Sequence, residues 1–289
     1  MELYSLQVFL TVATEKSFSR AAEKLLRTQP AVSLGLQRLE QELGEKLIDR
    51  TGKHLILTDA GRTVLDYARR FQSLRLELDN ALAELRDNSA GRLIIGANES
   101  TSLYLLRHIE RYRALHPKVK VQVRRSLSSK IPNELLDGNL ELGVISYDPG
   151  DERLKSKVIY TDALAFVVSP EHRLARRKTV SITELGAETF IAHNVVSPYR
   201  EVVLREFQAH KVPLQMPVEM PTIETIRKMV QNNQGVAFVP RMCVEQEIER
   251  KTLCEVKVKE LHVERKIRLV YPTRRALSHA AKAFLEVVG

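Results

Sequence analysis

Residues 27–40, "RTQPAVSLGLQRLE", set the reading of everything around them. Pro30 has no backbone N–H to donate, and a helix tolerates that only in its first turn, where the N–H has no intrahelical partner anyway. Thr28, just upstream, is a favoured N-cap. Past Pro30, the apolar residues Val32, Leu36, Leu39 and Leu43 recur at intervals of four, three and four, which is one stripe of a helix. Ser33, Gln37 and Arg38 fall outside that stripe. The spacing predicts a short helix with a fixed start and a polar outer face, suited to insertion into a partner.

Upstream, Leu6, Phe9, Leu10 and Ala13 predict a first helix over 3–15. In "SFSRAAEKLL", Ser17 or Ser19 supplies a cap, and Phe18, Ala21, Ala22 and Leu25 give a narrow apolar face that ends near Leu26. The alanines permit close approach of helices, and the tight connection to the next helix is the helix-turn-helix pattern. The second of its helices would then be a recognition helix. Downstream, Gly44 stops the helix. Leu47–Arg50 and His54–Leu57 read as short strands around Gly52, a β-hairpin wing with Lys53 and His54 at its tip and Arg50 at a strand end.

The run "FSRAAEKLLRTQPAVSLGLQRLEQELGEKLIDRTGKHLILTDAG" resembles the N-terminal signature of the LysR-type transcriptional regulators. Two features depart from it. Leu34 and Gly35 stand where that family usually has polar or basic residues, and Ile48 stands where it commonly has Phe. The resemblance implies double-stranded DNA as partner. It places Thr28, Gln29, Pro30, Ser33 and Gln37 at the major groove, with Leu34 available to a thymine methyl. It sends Arg38, Arg50, Lys53 and His54 to phosphates or the minor groove, and Arg20 to the DNA backbone. These polar contacts divide into those that position and those that specify.

From Thr58 to about Asn88 there is no proline and no glycine beyond Gly61. Val64, Phe71, Leu78 and Leu85 repeat every seven residues, and Tyr67, Leu74 and Ala81 stand three residues after the first three of them, a coiled-coil seam. Leu65, Leu76 and Leu82 widen it somewhat. Residues 58–88 are therefore expected to pair two copies, and the two-fold axis would match an interrupted palindromic operator.

"NSAG" at 88–91 reads as a hinge, centred on 89–91, and beyond it strands and helices alternate. That alternation predicts parallel sheets. It resembles the family's effector domain, which is similar to periplasmic solute-binding proteins. The resemblance implies two Rossmann-like lobes: lobe I at 92–162 and 264–289, lobe II at 163–263, with crossovers near Asp162 and Val263. The whole chain would be an N-terminal all-α winged helix-turn-helix (1–57), a linker helix (58–88) and a periplasmic-binding-protein-like α/β effector domain (92–289).

Ligands of such sheets sit at strand C-termini against helix N-termini. Hydroxyl residues recur at those places: Ser100, Thr101, Ser102, Ser128, Ser129, Ser197 and Thr222. Taken with the family, the expected effector contacts are Asn98, Ser100, Thr101, Ser128, Ser129, Ser197, Pro198, Tyr199, Arg200, Thr222 and Ile223. Helix N-termini favour anions, and Lys130 and Arg200 add positive charge. The first 88 residues are neutral, with 13 basic and 13 acidic side chains, so the whole formal excess of +9 lies beyond them. A small anion or carboxylate is the expected effector. Glu99 opposes that unless it is paired, with Arg200 as the available partner.

At 289 residues, 44% hydrophobic and 28% charged, the chain is globular and long enough for two or three domains. "MELYSLQVFL" lacks the features of a signal peptide, and no apolar run reaches the ~18 residues of a membrane span. A cytoplasmic location is the expectation. Cys243 and Cys254 are too few for a disulfide framework and do not resemble a redox pair. No nucleophile elbow, phosphate loop or metal-ligand spacing appears, so no enzyme, cofactor or metal is expected. The reading is a ligand-responsive regulator, dimeric through its linker and tetrameric through its effector domains. Two rivals use the same fold: a DNA-binding protein whose C-terminal half serves assembly alone, and a solute-binding protein.

Overall fold

The computed structural model describes residues 2–49, 55–86, 91–195 and 197–289, without side chains at 73, 76, 77, 79–81 and 83–86. The readings at Arg50, Gly52, Lys53 and His54 and at hinge positions 88–90 lie outside the described residues, and those at Leu76, Ala81 and Leu85 outside the described side chains. The chain forms two compact units, Met1–Gly91 with Asn133–Leu140, and Arg92–Pro132 with Glu141–Gly289.

The first unit opens with α1 (Leu3–Glu15), α2 (Phe18–Leu25) and α3 (Gln29–Leu43). Their ends are set locally. Lys16 and Leu26 adopt the left-handed conformation at φ 50° and 53°, and Gly44 ends α3 at φ 72°. The Ser17 hydroxyl accepts from the Arg20 N–H at 3.3 Å. Thr28 is the extended N-cap of α3 but its hydroxyl makes no cap bond, and Pro30 is the second helical residue. The strands β1 (Ile48–Asp49) and β2 (Ile56–Leu57) pair antiparallel, within the ranges expected of the hairpin. Leu6, Val8, Phe9, Val12, Val32, Leu36 and Leu39 form the core with Leu47 and Ile48.

Gly35 belongs to that core rather than to the outer face. A Cβ there would lie 3.3 Å from Val8 Cγ2, so glycine lets α3 approach α1. The buried carboxylate of Glu40 ties α3 to the hairpin, accepting from the Leu47 N–H at 2.9 Å and the Lys46 ammonium at 3.0 Å. The long helix α4 (Asp59–Arg86) follows. Val64, expected in the pairing seam, instead packs with Leu65 and the buried Ala68 against this unit's own core. Tyr67, Phe71, Leu74 and Leu78 remain exposed, spaced four, three and four apart.

The rest of the chain continues with β3 (Gly91–Ala97), α5 (Glu99–Leu115), β4 (Val119–Arg125), α6 (Ile131–Leu136) and β5 (Leu142–Ile145). Then come β6 (Leu154–Val168), β7 (Thr179–Val180), β8 (Thr189–His193), α7 (Pro198–Ala209), β9 (Gln215–Met220) and α8 (Ile223–Gln231). The chain closes with β10 (Ala237–Pro240), α9 (Glu245–Glu249), β11 (Cys254–Glu255), β12 (Lys257–Val258), β13 (Glu264–Pro272) and α10 (His279–Val288).

The main sheet runs β10-β6-β13-β5-β3-β4, with β11 also on β6. The expectation of parallel sheets holds for β3–β5 and β8–β9 and fails at the crossovers. Strands β6 and β13 pair antiparallel with each other, and β13 with β5 and β10 with β6 likewise. The reason is connectivity. Strand β6 passes from one lobe into the other as a single extended strand, and the chain returns through the irregular residues 261–263 into β13, with no helix at either crossover. Their shared register sets Asp162 opposite Arg265. Separate apolar clusters lie on the two sides, one around Leu93, Leu105 and Phe284, another around Phe166, Phe190 and Phe207.

Candidate functional site

On the first unit, Thr28, Gln29, Pro30, Leu34, Gln37 and Arg38 are exposed and Ser33 half-buried, while Val32, Gly35, Leu36 and Leu39 are buried. One side of α3 thus presents hydrogen-bonding groups and one large apolar side chain, Leu34. Arg20 is exposed near the start of α2, and its guanidinium donates to the carbonyl of Glu15, the last residue of α1, at 2.5 Å.

In the second unit a cavity of about 980 Å³ opens between the lobes. The first lobe gives Asn98, Ser100, Ser128 and Ser129; the second gives Ser197, Pro198, Tyr199, Arg200 and Ile223. Asn98 organises the first group. Its side-chain oxygen accepts from the Thr101 N–H at 2.9 Å and the Ser100 hydroxyl at 3.0 Å, and its amide donates to Ser128 Oγ at 2.8 Å. Ser197 caps α7 through the Arg200 N–H at 3.2 Å. The Tyr199 hydroxyl donates to the Ser146 carbonyl, linking the two lobes. The far wall is apolar, with the rings of Phe190 and Phe238 stacked 5.6 Å apart.

Two expected residues do not line this cavity. Thr101 is fully buried and its hydroxyl bonds the Val144 carbonyl at 3.1 Å, a structural role. Thr222 is spent as the N-cap of α8, accepting from the Thr225 N–H at 3.2 Å. Lys130 is also absent from the lining. Glu99 is not paired with Arg200. Arg200 reaches the Glu219 carboxylate at 2.5 Å and the His193 carbonyl at 3.0 Å. Glu99 Oε1 instead accepts from the Ile223 N–H at 2.9 Å, across the cleft.

The cation that sequence reasoning missed is Arg265. Its side chain is 4% exposed, bonds Asp162 at 2.6 Å and Ser100 Oγ at 3.2 Å, and lies with Cζ 5.0 Å from the centre of the Tyr199 ring. Within "ERKIRLV" no local pattern singles it out; the pairing of β13 with β6 sets it against Asp162. Burial pushes the Asp162 carboxyl above its ordinary value, and the Arg265 charge opposes this. Burial likewise pushes the Cys243 thiol up to about 12, which leaves it protonated and unreactive. No group of metal ligands occurs among the described residues, and no helix there is long and apolar enough to cross a membrane.

Comparison with known proteins accords with this geometry. The profile "Bacterial regulatory helix-turn-helix protein, lysR family" matches residues 3–62, and "LysR substrate binding domain" matches residues 86–289. A "Probable RuBisCO transcriptional regulator" of Synechocystis sp. is 31% identical over 293 residues, covering 99% of this chain and 85% of the relative. Full-length CbnR, solved as a complex with its target DNA, superposes with a TM-score of 0.68 at 19% identity, covering 100% of this chain and 99% of CbnR. The regulatory domain of Synechocystis PCC6803 CcmR, solved in complex with 2-PG, gives 0.62 at 20% identity, over 68% of this chain and 95% of that domain.

Proposed function

Because the chain belongs to the LysR family of bacterial helix-turn-helix regulators, we propose that α3 reads operator DNA and that a small anion in the cleft controls the reading. The protein is a DNA-binding transcriptional regulator. Gln29, Ser33 and Gln37 contact base edges from an α3 whose first turn carries Pro30. Leu34 presses on a thymine methyl. Arg20 and Arg38 hold the phosphate backbone, joined by Arg50, Lys53 and His54 of the wing. The exposed stripe Tyr67–Phe71–Leu74–Leu78 pairs two copies about a two-fold axis that matches an interrupted palindrome. Effector domains join two such pairs into a tetramer.

The effector is a compact carboxylate or phosphate. One observation carries this: a cavity lined by hydroxyl groups from both lobes also holds the buried guanidinium of Arg265. The 2-PG complex of CcmR supports the same chemistry in a domain of this fold. Closure of the lobes around the anion would alter the angle between paired recognition helices and so the fit to bent DNA.

Thermal unfolding of the full chain against small carboxylates, phosphates including 2-PG, amino acids and neutral sugars tests this, with Ser100→Ala run alongside. An anion at a hundred times its Kd should stabilise wild type by about 2.7 kcal/mol, and Ser100→Ala should lose most of that. No stabilisation by any anion would favour a C-terminal half that serves assembly alone.

A further inference from the structure

The first turn of α8 has no free donors. A helix begins with N–H groups that have no intrahelical acceptor and carry a partial positive charge, the feature that attracts anions. Here the Ile223 and Glu224 N–H groups donate to Glu99 Oε1 at 2.9 and 3.4 Å, and the Thr225 N–H donates to Thr222 Oγ1 at 3.2 Å. Glu99 comes from the opposite lobe, in the first turn of α5. Its other oxygen, Oε2, is shielded from solvent and has no hydrogen-bond partner. His193 Nε2 stands 4.0 Å from Oε2 and is engaged with the Pro221 carbonyl at 3.1 Å. The carboxylate is thus half satisfied.

A second observation lies in the same cavity. Arg265 is 4% exposed, its Nη2 bonds Ser100, the residue next to Glu99, and its Nε is buried without a partner. An arginine with a spare donor and a carboxylate with a spare acceptor line one cavity, and they do not meet.

We infer that Glu99 is the resident anion of this cleft and the competitor of its effector. The effector's anionic group takes over the α8 N–H groups that Glu99 now holds, and expelling Glu99 releases one of the ties between the lobes. This rests on the reading of the cleft as an anionic-effector site. It narrows the ligand to an anionic group compact enough to stand in for a glutamate carboxyl, a carboxylate or a phosphate.

Calorimetric titration of the full chain with inorganic phosphate and with acetate compares wild type, Glu99→Gln and Glu99→Ala. Gln keeps the acceptor at Oε1 but gives up the charge, so both variants should bind at least one of the two anions about tenfold more tightly. Which anion gains more separates phosphate from carboxylate chemistry. Adding Ser100→Ala to Glu99→Gln should cancel the gain. Should Glu99→Ala fail to fold, Glu99→Gln carries the test. Affinities within twofold of wild type, a weakening, or a gain that survives Ser100→Ala would overturn the competitor role. If no anion bound any of these proteins, the effector reading would fall instead.

Discussion

The exposed side of α3 and the inter-lobe cleft, the two places proposed here to bind a polar partner, are built in opposite ways. The described residues of the first lie between Arg20 and Arg38, on two consecutive helices, and their exposure alternates with burial at helical spacing. The second draws on residues from Asn98 to Arg265 and depends on two strands that cross between lobes. A face on one helix is written in residue order. A cavity is written by where the chain returns, so a single distant side chain can dominate it.

The sharpest way to break this contrast is at Arg265. Arg265→Ala leaves Asp162 buried beside no cation, and the loss should be about 3–5 kcal/mol. Hydrogen exchange should locate the loss in β6 and β13 and leave α1–α3 protected. The loss should also shrink on acidification. Burial raises the folded-state pKa of Asp162, so the fold takes up that proton at a higher pH than the unfolded chain does. Stability then rises as pH falls through that raised range. A uniform loss across both units would show that the two sites are not built independently.

The converse perturbation is Gly61→Ala. A Cβ at Gly61 would fall 2.0 Å from the Leu47 carbonyl oxygen, where α4 begins against the hairpin. Denaturant unfolding should show about 1–3 kcal/mol lost, with weaker operator binding and no change in anion-dependent stabilisation. The smallest effects separate residues within α3. Gln29→Ala should lose at least about 1 kcal/mol of discrimination at one base pair. Arg38→Ala should weaken all sequences alike and flatten the salt dependence. Binding to operator variants at several salt concentrations distinguishes the two, and equal loss of discrimination in both would overturn the assignment.

What the sequence disclosed follows the same division. Pro30, Gly44 and the stripe Val32–Leu36–Leu39 act through neighbours within a few residues, so the helix they predict is the helix that forms. The reason for Gly35, a departure from the family pattern, is Val8, which lies in a different helix. Val64 kept the seven-residue period of the seam, but period alone does not say whether a residue faces a second copy or its own domain. In the cleft, serine clusters near helix starts located Ser100, Ser128 and Ser197, whereas Thr101 and Thr222 share that signal and face elsewhere. Arg265 gave no local signal at all. Glu99 was recognised as a difficulty, but its partner is the backbone of α8, which no side-chain pattern announces.

The paired strands β6 and β13 carry a mechanical consequence. They stay in register from Leu154 opposite Pro272 to Ala163 opposite Glu264, with one irregularity between Ile267 and Arg268. Because the ladder resists sliding, the least costly motion of one lobe against the other is torsion of this two-stranded ribbon. Twisting moves groups near the axis, such as Asp162 and Arg265, very little. It moves groups at the cleft mouth in proportion to their distance from the axis. Torsion of the ribbon would therefore turn a chemical event at the cleft into a change of angle between the two lobes.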